Sequence, residues 1–380
     1  MPSELREASW SAAHRCRFAG LSQALCLIAL LACRPLNAVV FYSTGDPEHN
    51  TAAPTGALTN SGWQFQGRWG AYLGTAISSN AFLTAQHVGN SVGAPFHLNG
   101  IAYPSTAFFD DPETDLRLVQ VCGTFSDFAT LHTSQTEIGK PLIVFGRGTP
   151  RGAPVITGLA NDKTNGWRWG FFDSRMRWGE NEVDSIADGD ALFESSTVGD
   201  LLKVSFTADA GPNEGHLSVG DSAGGLFILD GTWQLAGINF AVDGPYNTST
   251  NGAGFEAAIF DEGGLYTQEN GGWSLIPDRP FDQSGAFYAT RIATRIDWIQ
   301  SVLQQIAARQ DAPVLQSATD PSGPFADQPT ATVDPENRFI TVPQPAASQY
   351  YRLRGCHPYH IATIELLDDT LRIHYELSEP

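Results

Sequence analysis

Basic side chains are scarce in this chain. Twenty-two Lys and Arg stand against 41 Asp and Glu, a formal net charge of −19, whereas a protein that grips nucleic acid needs the opposite excess to neutralise phosphates. Nucleic-acid binding is thereby excluded as its main role. Cysteine is scarcer still: there are five in 380 residues, and Cys16, Cys26 and Cys33 all fall in the first 38. Cys122 and Cys356 remain, as one disulfide or as two separate thiols, so the fold must rest on a hydrophobic core and not on a disulfide framework. No apolar run approaches the ~20 residues of a membrane-spanning helix. What the chain does have is 38 Gly and 23 Pro with 42% hydrophobic residues. This is the composition of many short strands joined by turns, and a mostly β fold is expected.

Arg6, Arg15 and Arg17 precede the apolar run Leu21 to Ala32, and Leu36-Asn37-Ala38 supplies small residues suited to signal peptidase. Residues 1–38 read as a signal peptide, which implies a secreted or periplasmic protein. Its removal leaves 18 basic and 39 acidic groups, a net charge of −21. A competing reading takes Leu30-Leu31-Ala32-Cys33 as a lipoprotein site that would lipidate Cys33, but Leu31 fits that pattern poorly.

Two further regions follow. From Trp63 to Val242, short apolar runs recur between Gly, Pro, Asn and Asp punctuation, among them 70–77, 81–85, 116–121, 142–145, 201–206, 226–229 and 235–240; this spacing indicates a sandwich or barrel. Residues 243–284, rich in Gly and Asn, read as a long insertion. Ile296, Ile299, Val302, Leu303 and Ile306 recur at helical offsets, so 294–307 should form an amphipathic helix that closes a domain spanning 39–308. The Pro-containing stretch 309–326 reads as a linker. Residues 327–380, with strands expected at 338–342, 349–353, 361–367 and 370–377, read as a small β module whose role and partner the sequence does not name.

The strongest chemical signal is Gly220-Asp221-Ser222-Ala223-Gly224-Gly225. A serine flanked by glycines lets backbone N–H groups come close to the carbonyl under attack. Both the α/β-hydrolase elbow G-x-S-x-G and the GDSGGP string of chymotrypsin-like proteases fit it, so the hexapeptide alone leaves two folds open. Chain order separates them, because the hydrolases place acid and histidine after the serine. Here Phe82-Leu83-Thr84-Ala85-Gln86-His87 resembles the protease LTAAHC motif and Asp115-Leu116-Arg117-Leu118-Val119 the DIALL strand. Phe287-Tyr288-Ala289-Thr290-Arg291-Ile292 and Ile296-Asp297-Trp298-Ile299 resemble VYTRV and YLDWI. The esterase HGG motif is absent. Over roughly residues 60–308 the chain resembles a bacterial-type trypsin-like (chymotrypsin-fold) serine protease.

That resemblance implies a double β-barrel with a C-terminal helix and an endopeptidase acting on a protein or peptide substrate, with no metal or organic cofactor. It assigns Ser222 as nucleophile, His87 as general base, Asp115 as the acid that orients the imidazole, and the N–H groups of Gly220 and Ser222 as the oxyanion hole. Val88 stands where vertebrate relatives carry a disulfide cysteine, and Ala223 replaces the glycine after the nucleophile. By the same resemblance, cleavage after Ala38 would expose Val39 as an N-terminus able to bury against Asp221, although Phe41-Tyr42 replace the usual following glycines. Six positions before Ser222 lies His216, at the expected floor of a substrate pocket walled by Leu217 and Asn239. No acid is supplied there, so a neutral pocket is expected, with a protonated His216 adding acceptance of Asp or Glu at lower pH. The insertion 243–284 reads as a cap on this pocket or as surface decoration. Two other features carry less. Cys356, His357 and His360 lack the ligand spacing of a metal site, and Asp110, Asp111 and Glu113 read as a solvated loop. The basic and tryptophan-rich stretch from Arg147 to Trp178 is either paired internally or a partner surface.

Overall fold

In the computed structural model, residues 39–158, 163–193, 197–269, 271–308, 312–356 and 359–377 are described. The expected signal segment 1–38 lies outside them, as does His357. Six strands, Gln66–Trp69, Tyr72–Ser78, Ala81–Ala85, Leu116–Val121, Ile101–Asp110 and Pro95–Leu98, close in that spatial order into a barrel. Its core is aromatic: Phe82 and Phe96 stack with centroids 4.0 Å apart, and Trp69 meets Phe82 edge-on.

A seven-stranded sheet follows, in the order Arg177–Glu182, Pro141–Gly146, Gly225–Asp230, Thr232–Val242, Ala286–Arg291, Asp200–Ser205, Ser185–Asp188. Its first and last strands are joined by residues 183 and 184 alone. A connection that short reaches only ~7 Å, so the sheet must curl until its two ends meet. Leu142, Val144, Val183, Leu202, Leu226, Ile228 and Phe287 fill the space it encloses. The double-barrel, mostly β architecture expected from the sequence is thus present.

A shared core joins the two halves. Leu73, Leu83, Leu116 and Leu118 of the first barrel pack with Phe145, Phe227, Leu235 and Ile238 of the second, and with Ile299, Val302 and Ile306 of the helix Ile296–Ala308. The helix therefore buries the stripe that its period announced. No helix among the described residues is long and apolar enough to cross a membrane, and Cys122 and Cys356 are separate, half-buried thiols.

The insertion carries strands of its own, Tyr246–Asn247, Tyr266–Glu269 and Gly272–Leu275, while Ala257–Ile259 pairs with Lys163–Trp169. Most of the basic side chains of the Arg147 to Trp178 stretch are engaged internally. Lys163 pairs with Asp261 and Asp278, Arg175 with Glu48, and Arg177 with Asp173. Arg151 lies 3.5 Å from the Trp167 ring centroid and Arg168 3.6 Å from that of Phe255.

The stretch 309–326 is not a plain linker. Val314–Ala318 is the central strand of a sheet between Ala326–Asp327 and Tyr350–Arg354, and Leu315 joins the buried core of Ile340, Val342, Ile373 and Tyr375. Prolines at 313, 321 and 324 flank this strand without entering it, so they hid it from a reading based on composition. A second sheet, Thr332–Asp334, Phe339–Pro343, Thr370–Leu377 and Tyr359–Leu367, completes the module. Deleting residues 314–318 should therefore unfold the module, leaving residues 326–377 sensitive to limited proteolysis; continued resistance would show that the strand is dispensable.

Candidate active site

Strand register brings the first two site residues together. Ala81–Ala85 pairs antiparallel with Leu116–Val121, with Ala85 opposite Leu116, so the residues just after the one strand face those just before the other. Gln86 donates its backbone N–H to the Asp115 carbonyl at 2.7 Å. The His87 N–H donates to Asp115 Oδ1 at 3.0 Å, and His87 Nδ1 lies 2.6 Å from Oδ2. Both carboxylate oxygens are thus committed to one residue, which fixes the imidazole in plane and direction. Asp115 is buried, while 38% of the His87 side chain is open to solvent.

Side chains that the sequence did not flag hold this pair. Gln86 Nε2 reaches the carbonyls of Asp111, Thr114 and Leu116 at 2.7, 2.9 and 3.1 Å. Arg295, at the start of the C-terminal helix, grips buried Asp111 through two 2.7 Å bonds and also pairs with Glu113. Arg117 pairs with Asp110. Asp110 and Glu113 are exposed, as expected of a solvated loop, whereas Asp111 is buried, and each of the three carboxylates meets a guanidinium.

Ser222 stands on the loop between Gly215–His216 and Gly225–Asp230. The loop is clamped from beneath: Asn239 Nδ2 donates to the carbonyls of Asp221 and Phe145, Ala223 donates its N–H to the Asn239 carbonyl, and Asn239 donates its own to Gly224. Gln66 of the first barrel accepts from the Gly225 N–H at 3.1 Å. Ala223 sits at φ 65°, a conformation that costs an L-residue ~1–2 kcal/mol. Its methyl packs into the shared core, so the departure from glycine is absorbed away from the reacting face. Among the described residues, the N–H groups of Gly220 and Ser222 donate to no protein acceptor, which leaves both available to an oxyanion.

Asp221 is fully buried. Oδ1 accepts from the Gly148 N–H at 2.7 Å, and Oδ2 from the Ser218 N–H and hydroxyl at 2.8 and 2.9 Å. The Val39 N–H is a further donor. A methyl group on Gly146 would overlap this carboxylate, so the close approach requires glycine there. Burial outweighs these bonds and pushes the Asp221 carboxyl up to about 6.

Ser222 lines a cavity of about 190 Å³ with Trp169, Leu217, Ser218, Val219, Asn239, Phe240, Ala241 and Val242. The His87 ring meets the Phe240 ring edge-on at 5.9 Å, so one aromatic side chain connects the imidazole to the serine's cavity. Leu217 and Asn239 line this cavity with Ser222, and Asn239 also holds the loop that carries Ser222. His216 is not at the pocket floor. Val40–Phe41 pairs with Gly215–His216, and the His216 ring is packed between Phe206 and Phe287 with Nδ1 on the Leu217 carbonyl. Burial lowers its pKa, so it supplies no cation to an acidic substrate side chain. Nor does the insertion line this cavity, which ends at Val242; residues such as Tyr246, Glu262 and Thr267 line a separate one.

No family model matches the sequence, and no curated protein does. Among solved structures the chain is similar to kallikrein-related peptidase 10, at 17% identity over 66% of this chain and 100% of that one, with a TM-score of 0.39. It is also similar to neuropsin, a serine protease expressed in the limbic system of mouse brain, at 14% identity over 64% and 96% of the two chains, with a TM-score of 0.39. The reading of the fold and of the site stands on their own geometry.

Near Asp221, burial also raises the Glu214 carboxyl, to about 8, against bonds from Thr207 and Asn181. A carboxyl raised on folding binds its proton more tightly in the folded state, so the stability it contributes is present at low pH and is lost as pH rises through the folded value. With the residues ahead of Val39 retained, stability should therefore fall from about pH 4 to pH 8, through Asp221 near 6 and Glu214 near 8. Glu214→Gln should remove the upper part of this slope, a change of a few kcal/mol at ~1.4 per tenfold difference in proton affinity. Urea denaturation at each pH reads it, and an unchanged slope would remove Glu214 as its source.

Proposed function

We propose that this chain is an exported serine endopeptidase. The observation that carries the reading is the doubly bonded His87–Asp115 pair, whose imidazole meets edge-on the Phe240 ring that lines a cavity with Ser222. Ser222 Oγ attacks the substrate carbonyl carbon while His87 Nε2 takes its proton, and Asp115 keeps the other ring nitrogen protonated and stabilises the imidazolium. The N–H groups of Gly220 and Ser222 receive the oxyanion. As the tetrahedral intermediate collapses, the C–N bond breaks and His87 returns the proton to the leaving amine. Water then hydrolyses the acyl-enzyme by the same steps. The cavity walls carry no charge, which favours an uncharged side chain on the acyl side of the scissile bond.

The α/β-hydrolase alternative requires a parallel sheet and a helix directly after the serine. Every strand ladder among the described residues is antiparallel, and Gly225–Asp230, a strand, follows Ser222. A non-catalytic binding protein is the remaining rival.

Export fits the same picture. Val39 is buried with its N–H on Asp221, so cleavage after Ala38 would convert that N–H into an ammonium and give the buried carboxylate a counter-charge.

A fluorophosphonate probe should label the folded protein and fail on Ser222→Ala and His87→Ala; an unlabelled wild type would favour the binding protein. Asp115→Asn should stay folded and lose about 10⁴-fold in peptide hydrolysis, because the amide stabilises the wrong imidazole tautomer. Retaining a few residues ahead of Val39 should cost roughly 10²-fold, the effect of a misplaced oxyanion donor. Equal activity of the extended and trimmed proteins would break the link between processing and the site.

A further inference from the structure

Phe171 and Phe172 are 79% and 47% exposed, and Val219 is 54% exposed. Large apolar side chains set out in water side by side need a reason, and here mobility of their loop is not one. Gly170 donates to the Pro150 carbonyl at 2.7 Å, and Arg147 bridges the Ser174 and Ala71 carbonyls at 2.5 and 3.0 Å. Fully buried Arg177 holds Asp173 at 3.0 Å. The backbone is pinned on both sides of the two phenylalanines, and their rings are presented outward.

What they adjoin is the proposed oxyanion loop. A methyl group on Gly220 would lie 2.9 Å from the Phe172 ring, and Val219 and Trp169, flanking the patch, line the cavity that holds Ser222. The end of strand Thr232–Val242 also lines that cavity. Its ladder with Gly225–Asp230 stops at Ile238, so residues 240–242 offer an open backbone edge to which the acyl side of a peptide can add as a strand. A chain laid there, with one side chain in the cavity and its carbonyl at Gly220 and Ser222, must continue past Gly220 on the side of Phe172.

We propose that Phe171, Phe172 and Val219 form a subsite for apolar side chains in the first residues on the leaving-group side of the scissile bond. The inference rests on the endopeptidase reading and adds a substrate class to it: polypeptides cut ahead of an apolar segment. In water the rings gain by covering such side chains and lose by meeting charged ones, which must shed hydration without a partner.

The test compares wild type with Phe171→Ser/Phe172→Ser and Phe171→Leu/Phe172→Leu. Internally quenched peptides vary the two leaving-side residues among Leu, Phe, Lys and Asp. An acyl nitrophenyl ester, which has no residues on that side, serves as control. Wild type should favour Leu or Phe over Lys or Asp by about tenfold or more in kcat/KM, a contact of hydrophobic-pocket size. The serine variant should flatten this preference and the leucine variant should keep most of it, with ester turnover unchanged in both. A preference that survives the double serine change overturns the subsite. So does ester turnover that falls in step with peptide turnover, since the rings would then be holding the oxyanion loop.

Failure of the endopeptidase reading itself would show differently, as a wild type inert to both ester and fluorophosphonate. For that case, fluorescence anisotropy of labelled peptides is read on Ser222→Ala, with and without the serine pair. Tighter binding of the Leu and Phe peptides that depends on the rings supports the patch, and binding indifferent to them sinks it.

Discussion

A single buried carboxylate organises the site. Asp221 is adjacent to Ser222 and fully enclosed, yet accepts from the backbone of Gly148, Ser218 and Val39. A buried carboxylate is tolerated only where its lone pairs are met, so the three segments that meet them are held in mutual position. They are the end of strand Pro141–Gly146, the loop that leads to Ser222, and the first described residues of the chain. The cluster of glycines around it follows from the same demand, since Gly146 leaves the carboxylate room and Gly148 lies against the 218–221 backbone.

Catalysis by this arrangement would require the two barrels to hold a fixed relation. His87 and Asp115 belong to the first barrel and Ser222 to the second. Their relation is set by the leucine and phenylalanine core that both barrels share with the C-terminal helix, and by two polar ties across it. Gln66 reaches from the first barrel to the Gly225 N–H, and Arg295 reaches from the helix to the loop that carries Asp115. Apolar packing supplies most of the attraction but little direction; the hydrogen bonds fix the angle.

The acidic excess of the chain shapes the rest. With carboxylates outnumbering cations about two to one, much of the basic stretch from Arg147 to Trp178 is consumed internally. Arginines stack on Trp167 and Phe255, bind carbonyls, or pair with acids. Beside Gly220 the surface carries the exposed Phe171 and Phe172.

Much of this was legible in the sequence, for specific reasons. Strands 81–85 and 116–121 and the helix announce themselves by apolar period and bounding residues, because burial on one face imposes that pattern locally. The segments around His87, Asp115 and Ser222 stand out in the sequence because their motifs are short and contiguous. The strand Val314–Ala318 was not, since flanking prolines mimic a linker and only its pairing with Tyr350–Arg354 makes it central. Nor was the setting of His216. Counting from Ser222 gives its place in the chain, but its ring turns inward because Val40, 176 positions earlier, pairs with it. The holding bonds of Gln86, Asn239 and Arg295 were not legible either, because a hydrogen bond to a distant carbonyl or carboxylate leaves no local trace. The sequence by itself determined the motif residues of the candidate site and the strands on which most of them ride. Tertiary structure decided which of those side chains meet, since such contacts depend on distance in space and on which groups must share the same buried volume.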